Sequence, residues 1–447
     1  MRSSKMIAVA CMLAAAGPAT AQAAGWTPVT PAGSNTNEPG LARTADGVLH
    51  VAYATQQGGE RIEHRAIGAN GTSLTAPVTV AALTTVNPRV ALVREAGGGL
   101  RAFFAGLAGG DPDGFLRTAT ADTGGAAWTP AAPASKATQP GVSPVYAATG
   151  ISAVVGTDGV PVSIWGDSNG TGDGFHIGVD PNAPDTLLGG TCCDLDPNVA
   201  VDAGNGELVA AWTFLGGGEY QVGPLGLATS TPPGGLAPTT QDRAPLTGRI
   251  GAPGVFLGGL AGGKPALWRV GTPSIRKVPA VSDAQHVTIA AAPGGRLWLA
   301  WLDDGNLIAT RTNPAGTTFG ALQSVKLPAG SSFRTAGEAS TGPLDAFVLA
   351  GSTPRWQHRR LLPALTMNAP LLVKRGKKLA VKVTDAGDAL GGVKVKAKLG
   401  GSSISATTTS GGKVKLQIPA GTSATSAKVT ATKTGYAPAS AVVRITR

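Results

Sequence analysis

Helical periodicity is what this chain lacks most. Past its first two dozen residues, no stretch repeats apolar side chains at i, i+3, i+4 and i+7. That excludes a helical bundle and any α/β fold built on amphipathic helices. Cysteine is almost absent, with three in 447 residues, which excludes a disulfide scaffold and a cysteine-rich metal centre. Charged residues make up only 14% against 42% apolar ones, which excludes a disordered polyelectrolyte. The five histidines (His50, His64, His176, His286, His358) are scattered, with no His-x-x-x-His pair. No phosphate-binding loop and no nucleophile elbow are present, so nothing in the sequence asks for a cofactor. Beyond the N-terminus no apolar run reaches membrane-spanning length.

What is abundant is turn chemistry: 65 Gly and 33 Pro, without the strict period of a collagen. A short phrase recurs in which a Gly is followed five or six residues later by a large residue closing an apolar stretch. The instances are Gly47 with Tyr53, Gly99 with Phe104, Gly159 with Trp165, Gly206 with Trp212, Gly263 with Trp268, Gly295 with Trp301 and, more weakly, Gly342 with Val348. Each phrase reads as two strands around a turn, followed by a third and a fourth strand. Four strands per unit and about seven units describe an all-β fold, a seven-bladed β-propeller, with six blades as the alternative count. Trp26-Thr27-Pro28 copies the fourth-strand phrase Trp128-Thr129-Pro130, and the last unit lacks its own fourth strand. The N-terminal segment is therefore expected to complete the final blade. The recurring large residue is expected to fill the space between sheets. Trp298 and Trp356 lie outside that slot and are expected to be exposed.

Residues 1–23 read as an export signal. Arg2 and Lys5 precede an apolar stretch over 6–17, and Ala21-Gln22-Ala23 offers a small-residue cleavage site. The mature chain is expected to be secreted or held at the cell surface. It keeps two adjacent cysteines, Cys192 and Cys193. In an exported protein these are expected to close a vicinal disulfide that stiffens the loop into the fourth unit. Asp167-Ser168-Asn169-Gly170-Thr171-Gly172-Asp173 has oxygen ligands at alternate positions (Asp167, Asn169, Thr171, Asp173), like a calcium loop. It lacks the distal Glu, and a plain hairpin turn explains it as well.

The aromatic-ended strands and the turn Thr120-Ala121-Asp122-Thr123-Gly124-Gly125-Ala126-Ala127-Trp128 resemble the sialidase or BNR-repeat superfamily, with a degenerate Asp box. Cys192-Cys193 followed by Asp196-Pro197-Asn198 is similar to a segment that opens a blade in secreted members. The resemblance covers about residues 25–363 and implies a propeller. It also implies a search for an arginine triad gripping a carboxylate, an Asp acid/base and a Tyr–Glu nucleophile pair. Arg89, Arg249 and Arg334 stand at or near the start of a unit's first strand, where guanidinium groups converge on a carboxylate. Glu38, Asp194, Asp196 and His286 are the other mouth candidates. The catalytic set is not intact: Tyr53 falls in the packing slot, Tyr146 has no acid nearby, and Tyr220 follows Glu219 in what reads as a loop.

From residue 364 onward there are 14 Lys and Arg against two acids, Asp385 and Asp388. The mature part before it is slightly acidic, so the net charge of +11 belongs to the tail. Residues 364–447 read as a separate all-β module, residues 24–363 as the propeller. Lys378 to Val383, Val393 to Leu399 and Lys413 to Leu416 alternate with period two, placing Val and Leu inside and Lys outside. The spacing of Gly and Thr resembles bacterial Ig-like or prealbumin-like sandwiches. Lys382, Lys394, Lys396, Lys398, Lys413 and Lys415 form a comb suited to an anionic cell-wall polymer or a membrane surface. Aromatic interleaving is nearly absent, so nucleic acid is not the expected partner. The leading expectation is a non-catalytic binding protein whose mouth takes an extracellular glycan or protein. The rival is a sialidase-like glycoside hydrolase using the arginines with two carboxyls about 5–9.5 Å apart. A structural surface-layer component is the third reading.

Overall fold

The structure is a computed structural model that describes residues 25–34, 37–57, 59–107, 115–130, 147–167, 174–178, 186–187, 194–214, 218–225, 229–238, 243–279, 284–330 and 332–447. Among these residues there is no α-helix, only one short 3₁₀ turn at Pro233–Gly235. The leader, Cys192–Cys193 and positions 168–173 of the calcium-like loop, with Asn169, Thr171 and Asp173, lie outside the described residues. So do the side chains of Asp167, Asp194 and Asp196.

The described residues between 25 and 363 form a β-propeller. Among the described residues there are seven antiparallel sheets, six of four strands and one of three. Their inner strands are Gly40–Arg43, Thr85–Arg94, Ala147–Val155, Asp194–Val201, Leu246–Gly248, Gln285–Ala292 and Ser332–Glu338. Each inner strand lies against the next, and Ser332–Glu338 returns to Gly40–Arg43, so the ring closes. The chain achieves closure with its N-terminal segment. Thr27–Pro28 pairs with Arg355–Leu361, Thr27 opposite His358, and supplies the fourth strand of the last sheet.

The seams explain the recurring phrase. Each junction between neighbouring sheets holds one apolar cluster, and six of the seven phrase residues lie on the second strand of a sheet. Phe104, Trp165, Trp212, Trp268, Trp301, Val348 and Tyr53 are all at most 5% exposed, so each fills a seam with the preceding sheet. Two expectations fail here. Trp298 is 1% exposed and Trp356 is fully buried. Val348 leaves its seam underfilled, and the Trp298 indole occupies that room, donating from Nε1 to the Gly342 carbonyl at 2.9 Å. Trp356 packs beside Tyr53 at the closing seam and donates to the Asn37 carbonyl at 2.9 Å. The Gly263 phrase is also shifted by one strand. Leu246–Gly248 is the first strand of that sheet, so Trp268 sits on the third strand, Lys264–Arg269.

The degenerate Asp-box turn is capped by its own side chain. Gly124 and Gly125 N–H both donate to Asp122 Oδ1 at 3.0 Å, and the Trp128 indole donates to the Gly125 carbonyl at 3.1 Å. Trp128 lies 5.3 Å, ring to ring, from His64, which in turn stacks on His50 at 5.1 Å. The two imidazoles are hydrogen-bonded at 2.9 Å and buried. Burial, and then the neighbouring His50 charge, pull His64 down to about 4. The unfolded chain therefore takes up this proton first, near pH 6.5. Stability is complete above about pH 6.5 and falls as the pH drops toward 4, by up to about 3 kcal/mol for this group. In denaturant melts between pH 7 and 4, a His64→Phe variant is expected to show a shallower loss than the parent. Parallel curves would contradict the assignment.

The remaining 80 or so residues form a two-layer β-sandwich. One layer contains Thr366–Asn368, Lys378–Asp385, Asp388–Ala389 and Lys413–Gln417. The other orders Leu372–Lys374, Ala439–Thr446, Ser426–Thr432, Lys394–Leu399 and Ser402–Thr407. Alternation is strict: in Lys394–Leu399 every Lys is exposed and Val395, Ala397 and Leu399 are buried. The sandwich is docked on the propeller through its only two side-chain acids. Asp385 pairs with Arg311, and Asp388 with Arg296 at 2.6 Å. Tyr436 donates to Asp385 at 3.2 Å and carries the Arg311 guanidinium 5.6 Å over its ring.

Candidate functional site

A channel of about 420 Å³ runs down the axis, lined by all seven inner strands. Its two ends differ. At one end, where each inner strand runs into the second, tight turns close the sheets, with Gly47, Gly98, Gly159, Gly206, Gly295 and Gly342 at positive φ. Only glycine takes this conformation without strain. At the other end, where inner strands begin, the backbone is irregular. The pairing with the second strand shifts register in five sheets, between Val86 and Val90, Ala147 and Ile151, Leu195 and Asn198, Gln285 and Thr288, and Ser332 and Arg334. Bulges at a rim re-aim side chains. His286 has φ of 48° within one of them.

The side chains around this mouth tie one sheet to another. Arg334 Nη1 donates to Asn37 Oδ1 at 2.5 Å, bridging the last sheet to the first. Thr335 donates to the His286 carbonyl at 2.7 Å. Ser152 donates to Asn198 Oδ1 at 2.5 Å, and Asn198 Nδ2 donates to the Ala244 carbonyl at 2.8 Å. Arg243 reaches across the opening. Its Nη2 donates to the Ile151 carbonyl at 2.9 Å and the Val90 carbonyl at 3.4 Å, and its Nε lies 3.9 Å from Glu38. One guanidinium thus links the fifth sheet with the first, second and third. Arg89 and Arg334 lie near the starts of the second and last inner strands, at the same end.

Of the residues expected at the mouth, Glu38, Arg89, His286 and Arg334 stand there, at the starts of inner strands. The backbones of Asp194 and Asp196 begin the fourth inner strand. Arg249 stands elsewhere. It follows Leu246–Gly248, in the turn at the opposite end, donating to the Gly295 carbonyl and the Pro253 carbonyl at 2.9 Å each. The one-strand shift in that unit moved it: the arginine ahead of the true first strand is Arg243, three residues before Leu246. Glu219 and Tyr220 are on a strand, Glu219–Pro224, not in a loop, with Tyr220 buried and Glu219 exposed. Tyr53 does meet a carboxylate, donating to Glu63 at 2.8 Å. That pair is buried in the closing seam, and burial followed by the Glu63 hydrogen bond drives the phenol strongly up, away from ionisation. A nucleophile needs the opposite shift.

The far end of the channel carries a second charged cluster. Arg43 donates to Glu338 at 2.5 Å, to the Gly47 carbonyl at 2.7 Å and to Asp345, while His358 Nε2 lies 2.8 Å from Asp345. Burial would raise the Asp345 carboxyl. The His358 hydrogen bond and the charges of His358, Arg43 and Arg360 outweigh burial and hold it below the usual range. The cluster bolts the first sheet to the last. Among the described residues no group of three His, Cys, Asp or Glu side chains is placed to hold a metal ion.

No protein-family model matches the chain, and no curated protein does. Solved structures resemble it in outline. A fungal alcohol oxidase in complex with copper shares 14% identity over 95% of this chain and 99% of its own, at a TM-score of 0.45. Virginiamycin B lyase from Staphylococcus aureus, in a catalytically inactive form with quinupristin, shares 11% over 75% and 98%, also at 0.45. The lectin of Aleuria aurantia, a six-bladed β-propeller that recognises fucose, shares 13% over 85% and 98%, at 0.38. The activities in those names are those proteins' own.

Proposed function

We propose that this chain is an exported, non-catalytic binding protein: a seven-bladed propeller whose mouth takes a glycan or protein ligand, followed by a basic Ig-like module that attaches it to an anionic cell surface. The observation that carries the reading is the mouth. Its rim is bulged in five sheets and cross-tied by Arg243 and Arg334, so that these donors are held before a ligand arrives. Pre-organisation of this kind lowers the ordering cost of binding. A carboxylate, as in an acidic sugar or an acidic peptide end, matches the guanidinium geometry best.

A glycan array probed with the full chain tests it. Acidic glycans are expected to bind, and Arg334→Ala is expected to weaken them about tenfold or more, the value of one charged hydrogen bond. Arg243→Lys keeps a cation across the opening and is expected to lose less than Arg243→Ala. An array on which no acidic glycan or acidic peptide binds would remove the basis for the reading.

A further inference from the structure

The basic module has two exposed sheet faces, and they are not equivalent. The face of the five-stranded layer carries an apolar corner. Among the described residues five large apolar side chains are well exposed, and three lie here: Leu371 at 85%, Leu372 at 59% and Val442 at 68%. The register sets them among cations. Leu372 is the parallel partner of Arg444, and Arg444 N–H donates to the Leu371 carbonyl at 2.9 Å. Val442, two residues from Arg444 on the same face, is opposite Lys428, and Lys428 is opposite Lys398. Like charges directly across a strand pair repel, and among the described residues no carboxylate forms a salt bridge with them. The module's only side-chain acids, Asp385 and Asp388, are both turned onto propeller arginines.

We propose that this corner docks on an anionic lipid bilayer, with Lys374, Lys428 and Arg444 at the headgroups and Leu371, Leu372 and Val442 entering the acyl boundary. The inference rests on the reading that the module attaches the protein to an anionic surface, and it chooses between the two surfaces left open there. A soluble polyanion would use the cations and leave the leucines in water. A bilayer uses both, since surface attachment adds apolar burial to attraction for anionic headgroups. Leu372 opens the three-residue edge strand Leu372–Lys374 and Leu371 immediately precedes it, so both sit at the free edge of the layer, where a flat surface can reach them.

Sedimentation of the full chain with vesicles of equal phosphatidylglycerol and phosphatidylcholine tests the proposal, with pure phosphatidylcholine vesicles and long-chain polyphosphate resin in parallel. Binding is expected to the anionic vesicles and not to the neutral ones, and to weaken as salt rises. The Leu371→Ser/Leu372→Ser double variant is expected to lose about tenfold or more in vesicle affinity while holding the polyphosphate resin unchanged. Val442→Ser should act in the same direction. All three positions are exposed, so an unchanged unfolding transition verifies the fold. Vesicle binding indifferent to the leucines, or retention on polyphosphate alone, overturns the bilayer proposal and leaves the anionic-surface reading standing. Binding to neither anionic probe overturns both. A parent dimer that the leucine variant converts to monomer makes a second copy the occupant, and also overturns it.

Discussion

Replacing Asp345 by alanine is expected to destabilise the folded protein by about 3–5 kcal/mol, because it takes one of two carboxylates from a buried guanidinium and the partner from a buried imidazole. Asp345 is 1% exposed and takes Arg43, His358 and Arg360 at once. Arg43 is itself buried, and of its charged partners only Glu338 would remain, with the Gly47 carbonyl. The attraction in such a cluster mostly repays its own desolvation, so removing both partners behaves differently from removing one. A double variant, Arg43→Met with Asp345→Leu, is expected to recover most of the loss. Denaturant titrations of the single and double variants decide this. A double variant as weak as the single one would show that the cluster contributes net stability rather than specifying where the ring closes. The pH dependence carries the same sign: the depressed Asp345 carboxyl gives stability above the unfolded value near 3.9, lost as acid protonates it in the folded state.

The second large effect is at a seam. Trp301→Ala is expected to cost about 3–5 kcal/mol, the usual range for emptying a buried aromatic site. Trp301 is fully buried between the fifth and sixth sheets, against Leu267, Val287 and Leu299. Two facing sheets held apart by their other side chains cannot collapse on the void, so the high end of that range applies. Trp301→Phe is expected to cost far less. The indole Nε1 is buried with no hydrogen-bond partner, so phenylalanine gives up volume but also removes an unsatisfied donor. Equal losses in the two variants would mean that the indole nitrogen, not the filled volume, holds the seam.

These sites show where the sequence was legible. Tyr53, Phe104 and Trp301 stand five or six residues after a turn glycine, and the physics of filling a seam is local enough to leave that spacing. The lysine strands are legible for the same reason, since a period of two has one buried face. Thr27–Pro28 was readable as a missing fourth strand because it repeats the phrase of Trp128–Pro130. Leu246–Gly248 was not. Three residues between Pro245 and Arg249 are too few to show alternation, and missing them displaced Arg249 to the mouth and hid Arg243. A lone arginine ahead of a short strand has no pattern; only the carbonyls of Val90 and Ile151, distant in sequence, reveal what it does. The docking of Asp385 and Asp388 on Arg311 and Arg296 is hidden likewise, as a pairing between units that no local spacing encodes. The burial of Trp298 is hidden too, because its room depends on Val348 being small in the neighbouring sheet.

One acidic glycan followed through binding and recovery decides between a binding mouth and a hydrolytic one. The full chain and Arg334→Ala are titrated with it, and the ligand is then analysed by mass spectrometry after prolonged incubation. Saturable binding, weakened by the substitution, with the glycan recovered intact is the predicted result. A cleaved glycan, or an isotherm that Arg334→Ala leaves unmoved, would contradict it.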